Sequence, residues 1–331
     1  MFTGRFWAEN RGAAIGARRL SESEASGPGS LRAFWIIALG LASLRLGLGF
    51  LAVPLGLIAS LSVLVTVLFV ALPFIALFSG ASIVGKPRSA LGLLVFGAAL
   101  HGGSILLLER GMVLGFAAAS VAAVAQIGLL AWCLGLGLLI ARVVKDKHLI
   151  VPVCIFLAIF DAFLVLTPIG LTKQVMQRNP RVLPAVSLSV PKVVSAPTSG
   201  PIGSAAHIGP ADLLFSAFFF GLLYRFSMEV RTTALWLAPT LLVYLVGALL
   251  IGPLPALVPI GLCVLIVNWR HFRLTKEEWG STAVITLLAG AGLIWGLMQP
   301  EPRVAPSPPA PFPEAPRPGG LPGQASPGPR P

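Results

Sequence analysis

Long apolar runs, separated by short polar connections, dominate the chain. They occupy residues 34–52, 56–78, 90–108, 112–142, 149–169, 211–228, 233–251, 255–269 and 281–298. A helix that crosses a bilayer needs about 20 such residues, with a range near 17–25. Most of the runs fit that length, so the pattern predicts an all-α polytopic membrane protein of about nine spans. The fourth run is too long for one untilted span, and Gln126 and Gly128 predict a break inside it. The eighth is short and begins among Pro253, Pro255 and Pro259, which predicts an irregular start. Irregular backbone at membrane depth is tolerated only where protein or a wet cavity covers it.

Three stretches lie outside this pattern. Residues 1–33 form a basic tail carrying Arg5, Arg11, Arg18 and Arg19, with no short apolar core and cleavage site of the signal-peptide kind. Residues 299–331, rich in Pro, Gly and Ala, predict disorder or polyproline II. Between them, residues 34–298 make the membrane domain, interrupted by a polar loop at 172–209. In that loop Val186-Ser187-Leu188-Ser189-Val190 alternates apolar and polar, a strand pattern bracketed by Pro184 and Pro191. Prolines at both borders predict an edge or isolated strand.

Composition agrees with the pattern. Of 331 residues 56% are hydrophobic and only 11% charged, against roughly 25% charged in soluble domains. The net charge of +12 suits loops held at an anionic cytoplasmic leaflet. It does not indicate nucleic-acid binding, because no basic cluster is interleaved with exposed aromatics. With the N-terminus in the cytoplasm, nine spans put Lys86, Arg88, Arg142, Lys145, Lys147, Arg225, Arg231, Arg270, Arg273 and Lys276 inside. Of the short connections outside, only Arg110 is basic; the 172–209 loop, with Lys173, Arg178, Arg181 and Lys192, also lies outside. The expected location is therefore a membrane, the cell membrane if the source is prokaryotic. Cys133, Cys154 and Cys263 all fall in apolar runs without metal-ligand spacing and read as lipid-facing or packing residues.

Two acidic residues then change the picture. Asp161 and Asp212 stand alone in separate apolar runs. Intramembrane carboxylates are costly and face a wet cavity or a partner. Two that share a proton are the minimum equipment for general acid–base hydrolysis. Thr167-Pro168-Ile169-Gly170 predicts that the Asp161 helix ends soon after it, and Gly209-Pro210-Ala211 opens the Asp212 helix. Read alone, Asp212 also fits a plain helix-capping role.

Phe160-Asp161, Gly209-Pro210-Ala211-Asp212 and Pro255-Ala256-Leu257 follow one another in the order of three motifs of the presenilin and signal peptide peptidase family of intramembrane aspartyl proteases, which the chain resembles over roughly residues 90–270. The Pro and Gly after Asp161, and Phe215 and Gly221 after Asp212, sit at similar offsets. Phe160 stands where the family has tyrosine, Ala211 where it has a second glycine, and Pro-Ala-Leu-Val-Pro replaces Pro-Ala-Leu-Pro. Two spans precede residue 90 where the family would have three, which implies the orientation of signal peptide peptidases. The resemblance implies a presenilin-like bundle with Asp161 and Asp212 catalytic. Phe160, Gly209, Ala211, Pro255, Ala256 and Leu257 would support the site or bind substrate. It implies no metal or cofactor. The implied partners are transmembrane segments or remnant signal peptides of other proteins, within membrane lipid. Two alternatives stand beside it: an impaired family member that binds membrane helices, and an ion-coupled transporter. The 186–190 segment and the Pro-Ala-Leu turn are expected to offer backbone edges to an unwound substrate. His101, His148, His207 and His271 read as incidental.

Overall fold

A computed structural model of the chain describes residues 30–51, 53–171, 174, 185–193, 203–252 and 254–300. The basic N-terminal tail, most of the 172–209 loop and nearly all of the Pro-rich tail, expected to be disordered or polyproline II, lie outside the described residues. Nine α-helices occur among those described. They are α1 (Leu31–Phe50), α2 (Ile58–Ala81), α3 (Pro87–Glu109), α4 (Gly115–Val143), α5 (Ile150–Leu166), α6 (Pro210–Arg225), α7 (Val230–Ile251), α8 (Leu257–Val267) and α9 (Lys276–Leu297). Two strands, β1 (Leu188–Pro191) and β2 (Ser204–Ile208), lie between α5 and α6.

Seven of these helices are long and apolar enough to cross a membrane. Their outward faces carry large apolar side chains such as Leu235, Val243 and Leu287, each more than 70% exposed. Water would not tolerate so much uncovered apolar surface, so the chain is a mainly helical, multi-pass membrane protein. The other two, α6 with 16 residues and α8 with 11, fall short of that length. Both were expected as spans, and both carry motif residues at their starts.

The predicted break in the fourth run does not occur: α4 runs unbroken for 29 residues. The two residues that suggested a break have other work. Gly128 lies where α3 crosses, and a methyl there would strike the His101 backbone and Gly97 O. Gly97 and Gly135 are crowded in the same way, so small residues set the close approach of α3 and α4. Gln126 reaches the β-hairpin. The length α4 gains, about 44 Å at 1.5 Å per residue, lets it serve as the central mast of the bundle. It packs on α1, α2, α3 and α6, and Leu129, Leu130, Leu134 and Leu138 are almost wholly buried there with Phe34, Phe69, Phe219 and Phe220.

One end of this bundle is laced by arginines. Arg142 Nη1 donates to Val84 O at 3.0 Å, and Arg225 Nη1 donates to Ala141 O at 2.8 Å. The turn after α2, the end of α4 and the end of α6 therefore share one side, the grouping that the positive-inside count assigns to them. The three cysteines are free and buried, so they are packing residues rather than lipid-facing ones.

β1 and β2 form an antiparallel pair with Leu188 opposite Ile208, Ser189 opposite His207 and Val190 opposite Ala206. The strand expected over 186–190 is therefore an edge strand of a two-stranded sheet and not an isolated one, and it spans Leu188–Pro191. Ser187, Leu188, Ser189 and Val190 are all buried, with the partner supplied from inside the same loop. Proline at 191, which has no N–H to donate, coincides with an irregularity in the register.

Candidate active site

Helix α5 delivers Asp161 and then stops. Thr167 caps it, its Oγ1 donating to Phe163 O at 2.7 Å. Asp161 is buried, and its Oδ2 accepts the Leu257 N–H at 2.8 Å. Leu257 is the first residue of α8, so its N–H is one of the donors a helix start leaves without an intrahelical partner. A carboxylate there also meets the positive end of the helix dipole. The Pro-Ala-Leu turn is thus bonded directly to Asp161. The chain enters it through Gly252, whose φ of 119° lies in the region only glycine adopts freely. This is the irregular start expected of the eighth run. Gly261 then lets α8 lie close against Cys154 of α5.

A residue that the sequence reading missed completes this turn. Tyr244, on α7, donates its hydroxyl to Pro255 O at 2.8 Å and lies within electrostatic reach of Asp161. Its only sequence signal was rarity, since the chain has two tyrosines. Phe160, next to Asp161, is 45% exposed and stacks on Phe156 one turn away, with ring centroids 5.8 Å apart.

Asp212 sits in the first turn of α6. Gly209 caps the helix and its N–H donates to Asp212 Oδ2 at 3.1 Å. A methyl on Gly209 would lie 3.2 Å from that same oxygen, so glycine here leaves room for the carboxylate. Ala211 is exposed, and its methyl therefore does not crowd the carboxylate from within the packed core. Behind the site, Cys133 Sγ lies 3.5 Å from Pro210 O, which joins α4 to the start of α6. The two aspartates lie within electrostatic reach of each other. Helix α8 touches both α5 and α6. The fold therefore brings Asp161, Asp212, Gly209 and the Pro255-Ala256-Leu257 turn to one neighbourhood.

The hairpin leads straight into it, because β2 ends at Ile208 and Gly209 follows. His207, read as incidental, ties the hairpin together: its Nδ1 lies 2.9 Å from Ser187 Oγ and its Nε2 3.0 Å from Ser204 Oγ. Burial, and then the charge of Arg45, hold His207 below the usual histidine pKa. Arg45 is a second residue missed. It is a lone arginine within an apolar span, as visible in the sequence as either aspartate, and it is 6% exposed. No family model matches this chain, and no curated protein and no solved structure matches it either.

Proposed function

We propose that this chain is an intramembrane aspartyl protease of presenilin-like architecture, cutting transmembrane helices or remnant signal peptides of other membrane proteins. The observation that carries the reading is the bond from Leu257 N–H to Asp161 Oδ2. It joins the first aspartate to the Pro-Ala-Leu turn across 96 residues of sequence, while Asp212 stands at the mouth of a neighbouring helix.

In the reaction, one carboxylate in its ionised form takes a proton from water, and the water oxygen attacks the scissile carbonyl. The other, protonated, donates to the carbonyl oxygen. The tetrahedral intermediate then breaks its C–N bond as the nitrogen takes up a proton. A helical substrate must first unwind, because its amides are engaged in its own hydrogen bonds. Its extended form is received by β-augmentation. The receiving edge is β2, not the 186–190 segment expected from sequence, because the outer edge of β1 already meets Arg45 and Gln126. Counted as spans, α6 and α8 raise the seven long helices to nine, and both would open at the site rather than at the membrane surface.

The test is cleavage of a transmembrane reporter by the purified full chain in lipid vesicles. Wild type should cut, a small transition-state inhibitor of aspartyl proteases should block the cut, and Asp161→Asn and Asp212→Asn should each abolish it. Cleavage that survives in either variant refutes the assignment. A wild type that neither cuts nor binds inhibitor, yet carries protons or ions across the vesicle wall, favours a transporter.

A further inference from the structure

A buried guanidinium costs several kcal/mol unless its donors are met. Arg45 lies in α1, and Nη1 donates to Ser189 O at 2.7 Å. Gln126 of α4 stands beside it. With the amide turned so that each atom meets a complementary partner, Gln126 Oε1 accepts from Ser189 Oγ at 2.7 Å, from Arg45 Nη1 at 2.9 Å and from Ser189 N at 3.3 Å. Both main-chain groups of Ser189 are therefore taken up by the helical bundle, on the side of β1 that faces away from β2.

Antiparallel strands alternate between pairs that exchange hydrogen bonds and pairs whose N–H and C=O groups point outward. Ser189 points outward to Arg45 and Gln126, so the Ser189–His207 pair is of the second kind. The N–H and C=O of His207 consequently point out from the opposite side of the hairpin, along the outer edge of β2. That edge lies five residues before Asp212.

We infer that Arg45 and Gln126 are positioning residues: they clamp β1 to the bundle through Ser189, which closes one edge of the hairpin and holds the other, at His207, as the strand edge that receives unwound substrate. The inference rests on the proteolytic reading for its consequence, but the clamp itself is observable without it. Bonding to a backbone carbonyl and an amide, rather than to a carboxylate, makes the clamp sensitive to side-chain reach and charge together.

The experiment uses the full chain in vesicles, with Arg45→Met, Arg45→Lys and Gln126→Leu. Three readouts are taken: amide hydrogen exchange over 188–191 and 204–208, KM and kcat for a transmembrane reporter, and affinity for a small transition-state inhibitor. Arg45→Met should speed exchange in both strands at least tenfold and raise KM at least fivefold. Its kcat and inhibitor affinity should stay within twofold of wild type. Arg45→Lys should recover part of both effects, since an ammonium still reaches Ser189 O. Unchanged exchange and KM in Arg45→Met overturns the inference. So does an equal loss of kcat and inhibitor affinity, which would make Arg45 ordinary scaffold. If Arg45→Met does not fold, Gln126→Leu is judged by the same criteria. If wild type neither cuts nor binds inhibitor, the protease reading falls and exchange alone decides the clamp.

Discussion

Replacing Asp161 by asparagine and by alanine should give two equally inactive proteins of different stability. If the chain is the proposed protease, the carboxylate has two jobs, proton transfer and the capping of α8 through the Leu257 N–H that it accepts. Asparagine keeps an amide oxygen where Oδ2 sits, so the capping bond survives in neutral form, and relief of a buried charge offsets what is lost. Alanine leaves the Leu257 N–H without its acceptor, which costs about 1–3 kcal/mol for a buried donor. Both replacements remove the charge, so the lost attraction to the helix dipole and the relief of burying a charge are shared and cancel between them. The expected gap between the two variants is therefore that of the unmet donor alone, about 1–3 kcal/mol. At roughly 2–4 °C per kcal/mol for a domain of 150–250 residues, that is several degrees in Tm. Both variants should lose at least the 10²–10⁴-fold that a positioned acid or base contributes, as an order of magnitude. The assay pairs reporter cleavage with thermal unfolding in the same detergent. If alanine proves as stable as asparagine, the Asp161–Leu257 bond contributes nothing, and the argument that joins the Pro-Ala-Leu turn to the first aspartate is refuted.

Gly209→Ala should lower kcat about tenfold, ~1.4 kcal/mol in barrier, because its methyl presses on Asp212 Oδ2; Ala211→Gly, at an exposed position, should leave turnover unchanged or slightly raised, and kinetics that reverse this order would misplace the crowding. Ala205→Pro alters the exposed β2 residue that the register skips between the Val190–Ala206 and Pro191–Ser204 pairs, so it should raise KM for a helical substrate while a small inhibitor binds as before. Leu188→Pro, in a strand pair that does exchange hydrogen bonds, should instead loosen the whole hairpin, and equal cleavage by both proline variants would remove the hairpin from substrate binding. His207 has a depressed pKa in the folded chain, so between its folded and unfolded pKa the unfolded state holds more protons and stability rises with pH. Hairpin protection from hydrogen exchange should hold above the ordinary histidine value of about 6.5 and fall as pH drops below it through the folded pKa, and His207→Asn should flatten that dependence.

Sequence alone determined the membrane, the order of the helices and the two aspartates, because each rests on a local property. Bilayer thickness dictates the length of an apolar run, and an isolated carboxylate in such a run is conspicuous whatever it touches. It also placed the end of α5 at Thr167, since proline and glycine act on their own stretch of backbone. What it could not decide were contacts between distant segments. Gln126 and Gly128 read as a break because a polar residue and a glycine weaken an isolated helix; packed, one meets Ser189 and the other admits α3. The strand at 188–191 was legible by alternation, but its partner was not. Ser204-Ala205-Ala206-His207-Ile208 has little intrinsic strand preference, and it is strand only because the bundle holds β1 beside it. Phe160 belonged to a motif by its place in the chain, but that its ring stacks on Phe156 came only from the helix geometry. Tyr244 and Arg45 show the converse: one was visible as one of only two tyrosines and the other as a lone arginine in an apolar run, but only the tertiary structure, which sets Tyr244 against Pro255 and Arg45 against Ser189, decides what such a group bonds to.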